Sequence, residues 1–356
     1  MSSAGKTYSV PSRDNNINFL RFIAASLVIW FHMASLLAIP EPYIMGQGLG
    51  PIAVNIFFVL SGYLIAKSWT RSSSFGSYLI RRIARIFPGL AVVILLSVFV
   101  MGPIVTSLPL GDYFADAGTW KYLSLIVLAP ISNVLPGVFD ANPLPYAVNG
   151  SLWTLRYEFL AYLLTPLLYA ATKKLCGGRK LVFAVVLAVL VLVHFLSYSG
   201  LYPLPKVLDN LFRLFAYYMA GVAVLELGLD RYCDSQFAVV ALLVIIVFRD
   251  QVGIFSSLIM FVCVCTFTLG FSLTSNPRFA PCFKKNDYSY GIYIYAFPIQ
   301  QCVVWLASLP CAYLSCSVIS FGITLLFAIA SWFLVEKPAM DAGRKLAKKW
   351  TSRKSN

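Results

Sequence analysis

Between Ile17 and Pro40 the chain reads INFLRFIAASLVIWFHMASLLAIP, an apolar run that nevertheless carries Arg21 and His32. About 20 such residues suffice for a helix to cross the hydrocarbon of a bilayer. An ionisable side chain at that depth costs several kcal/mol, so it faces a protein interior or a wet cavity and marks function. Arg21 and His32 are 11 residues apart. At about 3.6 residues per turn they share one helix face, separated by about 16 Å along the axis. A single span therefore holds a permanent cation at one depth and a titratable imidazole at another.

The rest of the chain repeats the apolar theme. Of its 356 residues 59% are hydrophobic and 12% charged, against about a quarter charged in a soluble domain. Apolar stretches at 17–39, 48–66, 86–107, 152–171, 181–199, 209–229, 237–248, 253–274, 288–309 and 316–335 predict an all-α, polytopic transmembrane bundle of about ten helices. The net charge of +14 does not indicate a nucleic-acid partner, because the basic residues lie in short runs between the apolar stretches. Placing both termini in the cytoplasm puts 22 of the 28 Lys and Arg on that side, as cytoplasmic loops require. This divides the chain into a cytoplasmic segment 1–16, a membrane domain 17–338 and a basic cytoplasmic tail 339–356. The same charge rule keeps 108–151 as one long outer segment, with 120–130 dipping into the membrane or lying on its surface. The stretch 237–248 is short for a span and pairs with 253–274 as a partly re-entrant hairpin, Arg249 and Asp250 forming an ion pair at the turn. The eight cysteines lack zinc or redox spacing, and no metal site is expected. Cys311 and Cys316 flank an outer turn where a disulfide can form. The first span follows Lys6 and Arg13 and reads as a signal-anchor.

Orientation turns position into depth. His32 and Glu158, the latter six residues into a span entering from outside, both fall on the order of 10 Å beneath the outer boundary. His194, Arg156, Asp209 and Arg213 share that layer, whereas Arg21, Tyr290, Tyr293 and Glu336 lie near the cytoplasmic face. An imidazole beside a carboxylate is suited to take a proton from a hydroxyl, the carboxylate orienting the ring. His32 and Glu158 are therefore the candidate catalytic pair, and His194 reads as structural. Arg81, Arg82 and Arg85 in SYLIRRIARIFPGL form the second constellation. Three guanidinium forks within five positions suit a nucleotide phosphate, and Arg21 joins them on the cofactor side. Arg156, Trp153 and Asn55 are the candidates for holding an acceptor. By default Trp153 belongs to an interfacial belt, Ser61 and Gly62 to helix packing, and Glu336 to a helix terminus.

In this order the segments resemble the acyltransferase-3 family of integral membrane acyltransferases. The likeness rests on Arg21 and His32, FFVLSGYLI at 57–65, Arg82 and Arg85 followed by Pro88, NGSLWTLRYEFLAYLLTPLL at 149–168, YGIYIYAFP at 290–298, and SWFLVEKP at 331–338. It implies transfer of an acyl group, usually acetyl, from cytoplasmic acyl-CoA to a hydroxyl of a cell-surface or exported glycan. The acceptor would be a glycan or lipid-linked saccharide, and the location a bacterial inner membrane. By the resemblance His32 is the essential histidine, Arg82 and Arg85 engage CoA, Arg21 is the arginine ahead of the histidine, and Glu158 is the carboxylate of the SLWTL run. The chain departs from the family pattern at Asn55, where Asp is frequent, at Ala296, where His is frequent, and in its INFLRF lead. The expected route docks CoA phosphates on the arginines and threads the pantetheine arm up to His32. A secondary transporter or flippase for a lipid-linked or anionic solute is the rival reading, since buried Arg, His and Glu also serve coupled transport.

Overall fold

The computed structural model describes residues 15–72, 74–129, 134–173, 178–251, 253–274, 283, 286–307 and 312–355. These form helices α1 (Ile17–Leu36), α2 (Leu49–Thr70), α3 (Phe75–Leu96), α4 (Gly102–Val105), α5 (Leu110–Ala115), α6 (Ala117–Tyr122) and α7 (Trp153–Thr172). They continue with α8 (Arg179–Tyr198), α9 (Lys206–Glu226), α10 (Ser235–Val247), α11 (Ser256–Leu273), α12 (Ser289–Leu306), α13 (Tyr313–Ser331) and α14 (Lys337–Ser355). Every expected span coincides with a helix, and among the described residues seven helices are long and apolar enough to cross a membrane. Their outward faces carry exposed Leu192, Val247, Leu326 and Leu334, apolar surface that a bilayer covers. A two-stranded hairpin, Tyr43–Ile44 with Gln47–Gly48, is the sole sheet among the described residues.

Close backbone approach sets the centre of the bundle. A Cβ at Gly62 of α2 would lie 1.9 Å from the Tyr218 carbonyl oxygen of α9, and one at Gly221 would lie 2.1 Å from that of Val59. The two helices interlock through these glycines, as small residues permit where dispersion rather than water drives association.

Helix α3 begins at Phe75, eleven residues before the predicted span, because Ser74 caps it by accepting from the Ser77 amide. Arg81, Arg82 and Arg85 therefore lie inside a helix rather than at its tip. Beyond Leu96 the helix passes through a π-turn, Ser97–Met101, into α4, and the released Val98 carbonyl accepts from the Tyr113 hydroxyl. A second π-turn, Trp332–Glu336, joins α13 to α14. The stretch predicted to dip at 120–130 forms the end of α6 and a 3-10 turn, Leu123–Val127, packed on α3. The short stretch near 237–248 is α10, packed antiparallel on α11 where Gly270 meets the Asp234 carbonyl. At its turn Arg249 and Asp250 pair at 3.1 Å. Cys316 is disulfide-bonded; Cys311 lies outside the described residues.

Prolines fix two connections. Pro166 in α7 and Pro298 in α12 lack an N–H, which leaves the carbonyls four residues earlier, Tyr162 and Ile294, without their helical donors. Tyr78 of α3 donates its hydroxyl to Tyr162 at 2.9 Å, and Asn149 donates its amide to Ile294, also at 2.9 Å. The segment before α7 thus runs down the flank of α12: Asn142 bonds Gln301, Gln301 bonds the Leu144 and Ala147 carbonyls, and Gly150 packs on Phe297. From Ile294 to Leu306, the end of α12, is about 18 Å. Helix α7 therefore starts deep in the bundle, not at its outer boundary. Replacing Asn149 with Leu strands a buried carbonyl at a cost of about 1–3 kcal/mol; thermal unfolding of the purified protein should show that loss.

Candidate active site

A cavity of about 350 Å³ opens among α1, α2, α3, α7, α12 and α14. Arg21, Arg81, Arg82, Arg85 and Arg344 line it, as do two carboxylates, Asp287 and Glu158. The arginines are not equivalent. Arg85 donates to Asp287 at 2.5 Å and faces Glu336 at 3.6 Å, while Tyr290 and Trp332 rings cover its guanidinium. Arg21 donates to Ser289 and lies 3.6 Å from Asp287. Burial by itself would raise the Asp287 carboxyl, but Arg21, Arg85 and the Ser289 hydrogen bonds hold it down to about 2. Two arginines and two acids, counting Glu336 behind Arg85, form a closed ion cluster joining α1, α3, α12 and the second π-turn.

Arg81 and Arg82 stand outside that cluster. Arg81 donates to Ser77 and Ser72, and Arg82 reaches Ser68 only at 3.5 Å. The Arg82 guanidinium sits 5.9 Å from the ring centres of both Tyr78 and Tyr162, and its Nε is buried without a partner. Among the described residues, hydroxyls and π-faces but no acid meet these two charges. Deeper in, Glu158 accepts from Ser61 at 3.1 Å and from the Tyr162 hydroxyl. Tyr293 and Thr154 share a hydrogen bond of 2.6 Å, and the Tyr293 hydroxyl reaches the Ser151 carbonyl at 2.8 Å. The cavity thus runs from a cationic mouth to a polar end built of hydroxyls and one carboxylate.

His32 is not on its lining. The imidazole packs edge-on to Phe297 with ring centres 5.1 Å apart, and its Nδ1 is buried without a partner among the described residues. Glu158 shares the cavity with Arg21, whereas His32 lies 11 residues, about 16 Å, further along α1. The expected His32–Glu158 contact is not formed. The depth of Glu158 was measured from a helix start at the outer surface, and α7 starts well below it. Phe297 links the two levels, since it touches His32 and also Gly150, whose neighbour Ser151 binds Tyr293.

Of the residues expected to hold an acceptor, none lines the cavity. Asn55 is fully buried and accepts from Arg213 at 2.9 Å, in a cluster with Asn210 and His194 nearby. Trp153 packs edge-on to Tyr157. Arg156 occupies the face of α7 opposite Thr154, Glu158 and Tyr162, on the side of exposed Leu160 and Leu167. Asp287, Tyr162 and Arg344 were not singled out by sequence reasoning. Among the described residues no group of three His, Cys, Asp or Glu side chains could hold a metal.

The acyltransferase domain family matches residues 14–335. This chain belongs to the acyltransferase-3 family. The acyltransferase is 32% identical over 332 residues to an O-acetyl transferase of Shigella phage Sf6, covering 91% of this chain and 96% of that one. It is 31% identical over 191 residues to the peptidoglycan O-acetyltransferase OatA of Listeria monocytogenes, covering 50% of this chain and 27% of that one. It is 28% identical over 182 residues to nodulation protein 10 of Rhizobium leguminosarum bv. viciae, covering 48% of each chain. No solved structure matches it.

Ion pairing separates the arginines of this acyltransferase by experiment. Asp287→Ala leaves Arg21 and Arg85 facing each other and should lower stability by about 3–5 kcal/mol. Arg82→Gln removes no ion pair, so its thermal unfolding should stay close to that of the parent.

Proposed function

We propose that this membrane acyltransferase moves an acyl group, acetyl in the first instance, from acyl-CoA to a hydroxyl of a cell-surface or exported glycan. The observation that carries the reading is the cavity with surplus positive charge at its mouth and hydroxyls with Glu158 at its far end. A multiply charged phosphate donor suits the first, and a neutral acyl thioester suits the second. The phage and Listeria relatives bear the name O-acetyltransferase, which favours acetyl and a saccharide acceptor for this chain too. The positive-inside charge pattern supports a cytoplasmic mouth and an inner-membrane location in a bacterium.

Arg81 and Arg82 bind CoA phosphates in this reading, and Arg21 and Arg85 keep the mouth in shape. Glu158, fixed by Ser61 and Tyr162, orients the polar end of the cavity. His32 is the base that takes the proton of the acceptor hydroxyl as it attacks the thioester carbonyl, and CoA thiolate leaves. What supports that role is an imidazole whose Nδ1 is buried without a partner among the described residues and whose ring packs edge-on to Phe297.

Membranes containing the protein should transfer label from acetyl-CoA to saccharide, whereas a transporter would move solute and transfer nothing. His32→Ala should reduce transfer by two orders of magnitude or more, roughly the weight of a lost general base, with membrane insertion intact. Full transfer by that variant would remove His32 from the mechanism. Glu158→Gln keeps one acceptor oxygen for Ser61 and Tyr162, which both donate to Oε1, so its loss should be smaller and should fall on kcat rather than on acyl-CoA binding.

A further inference from the structure

The C-terminal helix α14 begins at Lys337, beyond the family match that ends at residue 335. By composition it is a basic tail, and a tail of this kind ordinarily meets anionic lipid. Its placement argues for more. Gly343 packs on α3 so tightly that a Cβ there would lie 2.5 Å from the Ala84 Cβ, and Trp350 packs on Gly76 in the same way. The Met340 sulfur lies 3.7 Å from Arg85 Nη1. Met340 and Arg344, one turn apart, both line the cavity, whereas Lys345, Lys348 and Lys349 on the same helix do not.

Of the five arginines around the cavity, Asp287 and Glu336 neutralise Arg21 and Arg85. That leaves Arg81, Arg82 and Arg344. Arg344 pairs with Asp341, three residues earlier, but the two side chains are 64% and 45% exposed. A screened pair of that kind is weak, and a phosphate dianion displaces it readily. The free cations also differ in position. Arg82 is wedged between Tyr78 and Tyr162, whose hydroxyl donates to Glu158, while Arg344 stands at the open rim.

Coenzyme A carries a diphosphate beside its pantetheine arm and a separate 3′-phosphate on the ribose at its other end. With the thioester directed towards Glu158, the diphosphate falls at Arg81 and Arg82 and the ribose end falls at the rim. The geometry points to Arg344 as the residue that binds the 3′-phosphate of CoA, so that α14 reads the identity of the donor. This rests on the acyl-CoA reading above and adds a specificity determinant outside the family's matched segment.

The test compares acetyl-CoA with acetyl-dephospho-CoA, which lacks only the 3′-phosphate, on the full-length protein in proteoliposomes. The parent should show a lower KM for acetyl-CoA. Arg344→Gln should raise that KM roughly tenfold or more, the weight of one charge-assisted hydrogen bond, with kcat within about twofold and the KM for acetyl-dephospho-CoA unchanged. Arg344→Lys should restore part of the difference, and Lys345→Gln should alter neither donor. Equal losses for both donors, no loss for either, or the same loss in Lys345→Gln would overturn the assignment, the last by showing a general effect of helix charge. A parent that binds both donors equally would overturn it while leaving the proposed function in place. Calorimetry showing no CoA binding to the parent would instead remove the proposed function, and this inference with it.

Discussion

One hydrogen bond decides where the chemistry of this protein sits: the amide of Asn149 on the carbonyl of Ile294. That carbonyl is open because Pro298 has no N–H to give it. Inside a bilayer an unsatisfied carbonyl is costly, so irregular chain is admitted only where it is buried in protein and meets such a need. The segment leading to α7 does both. It descends along α12 through Asn142, Gln301 and Asn149, and so delivers the start of α7, with Glu158 on it, to the level of the arginines. The Pro166 gap in α7 is closed by Tyr78 of α3, which holds the wall opposite and brings Tyr162 under Arg82. Two missing donors thus become the joints that shape the cavity.

Charge partition follows from that shape. The cavity concentrates five guanidinium groups in a space of about 350 Å³. Packed together in low dielectric, so many cations would repel strongly. Asp287 and Glu336 quench two of them and fasten four separate parts of the chain in doing so. The second π-turn matters here, because its extra residue carries Glu336 inward beside Arg85. What is left over is a cationic rim with no acid of its own except Glu158 in the depth and exposed Asp341 outside.

Much of the architecture was legible because hydrophobic length and charge asymmetry are strong signals in a membrane protein. All ten spans found their helices, and the arginine motif and Glu158 found the cavity. What failed was depth. Counting residues from an assumed boundary fails for α7, whose start is pulled inward by contacts with residues 145 to 159 positions away in the chain. Pro298 and Asn149 were both visible in the sequence, but nothing local says that the one completes the other. Asn55 and Arg156 lie off the cavity lining for a related reason: periodicity tells which residues share a face, not which face meets the cavity. Arg85 looked equivalent to Arg82 by spacing, and only the position of Asp287 on a distant loop separates a neutralised arginine from a free one.

Helix α1 carries an ionisable side chain at each level, with Arg21 at the ion cluster and His32 beyond Phe297. The distance between them cannot be shortened, because α1 is a continuous helix without proline or glycine. Any reaction that uses both ends must therefore move the acyl group or the acceptor past the Phe297 ring. Phe297 directly precedes Pro298, at the point where α12 has lost a rung of its hydrogen-bond ladder, and its ring rests on Gly150, where a side chain would not fit. The same proline that draws α7 downward thus sits beside the ring that packs against His32.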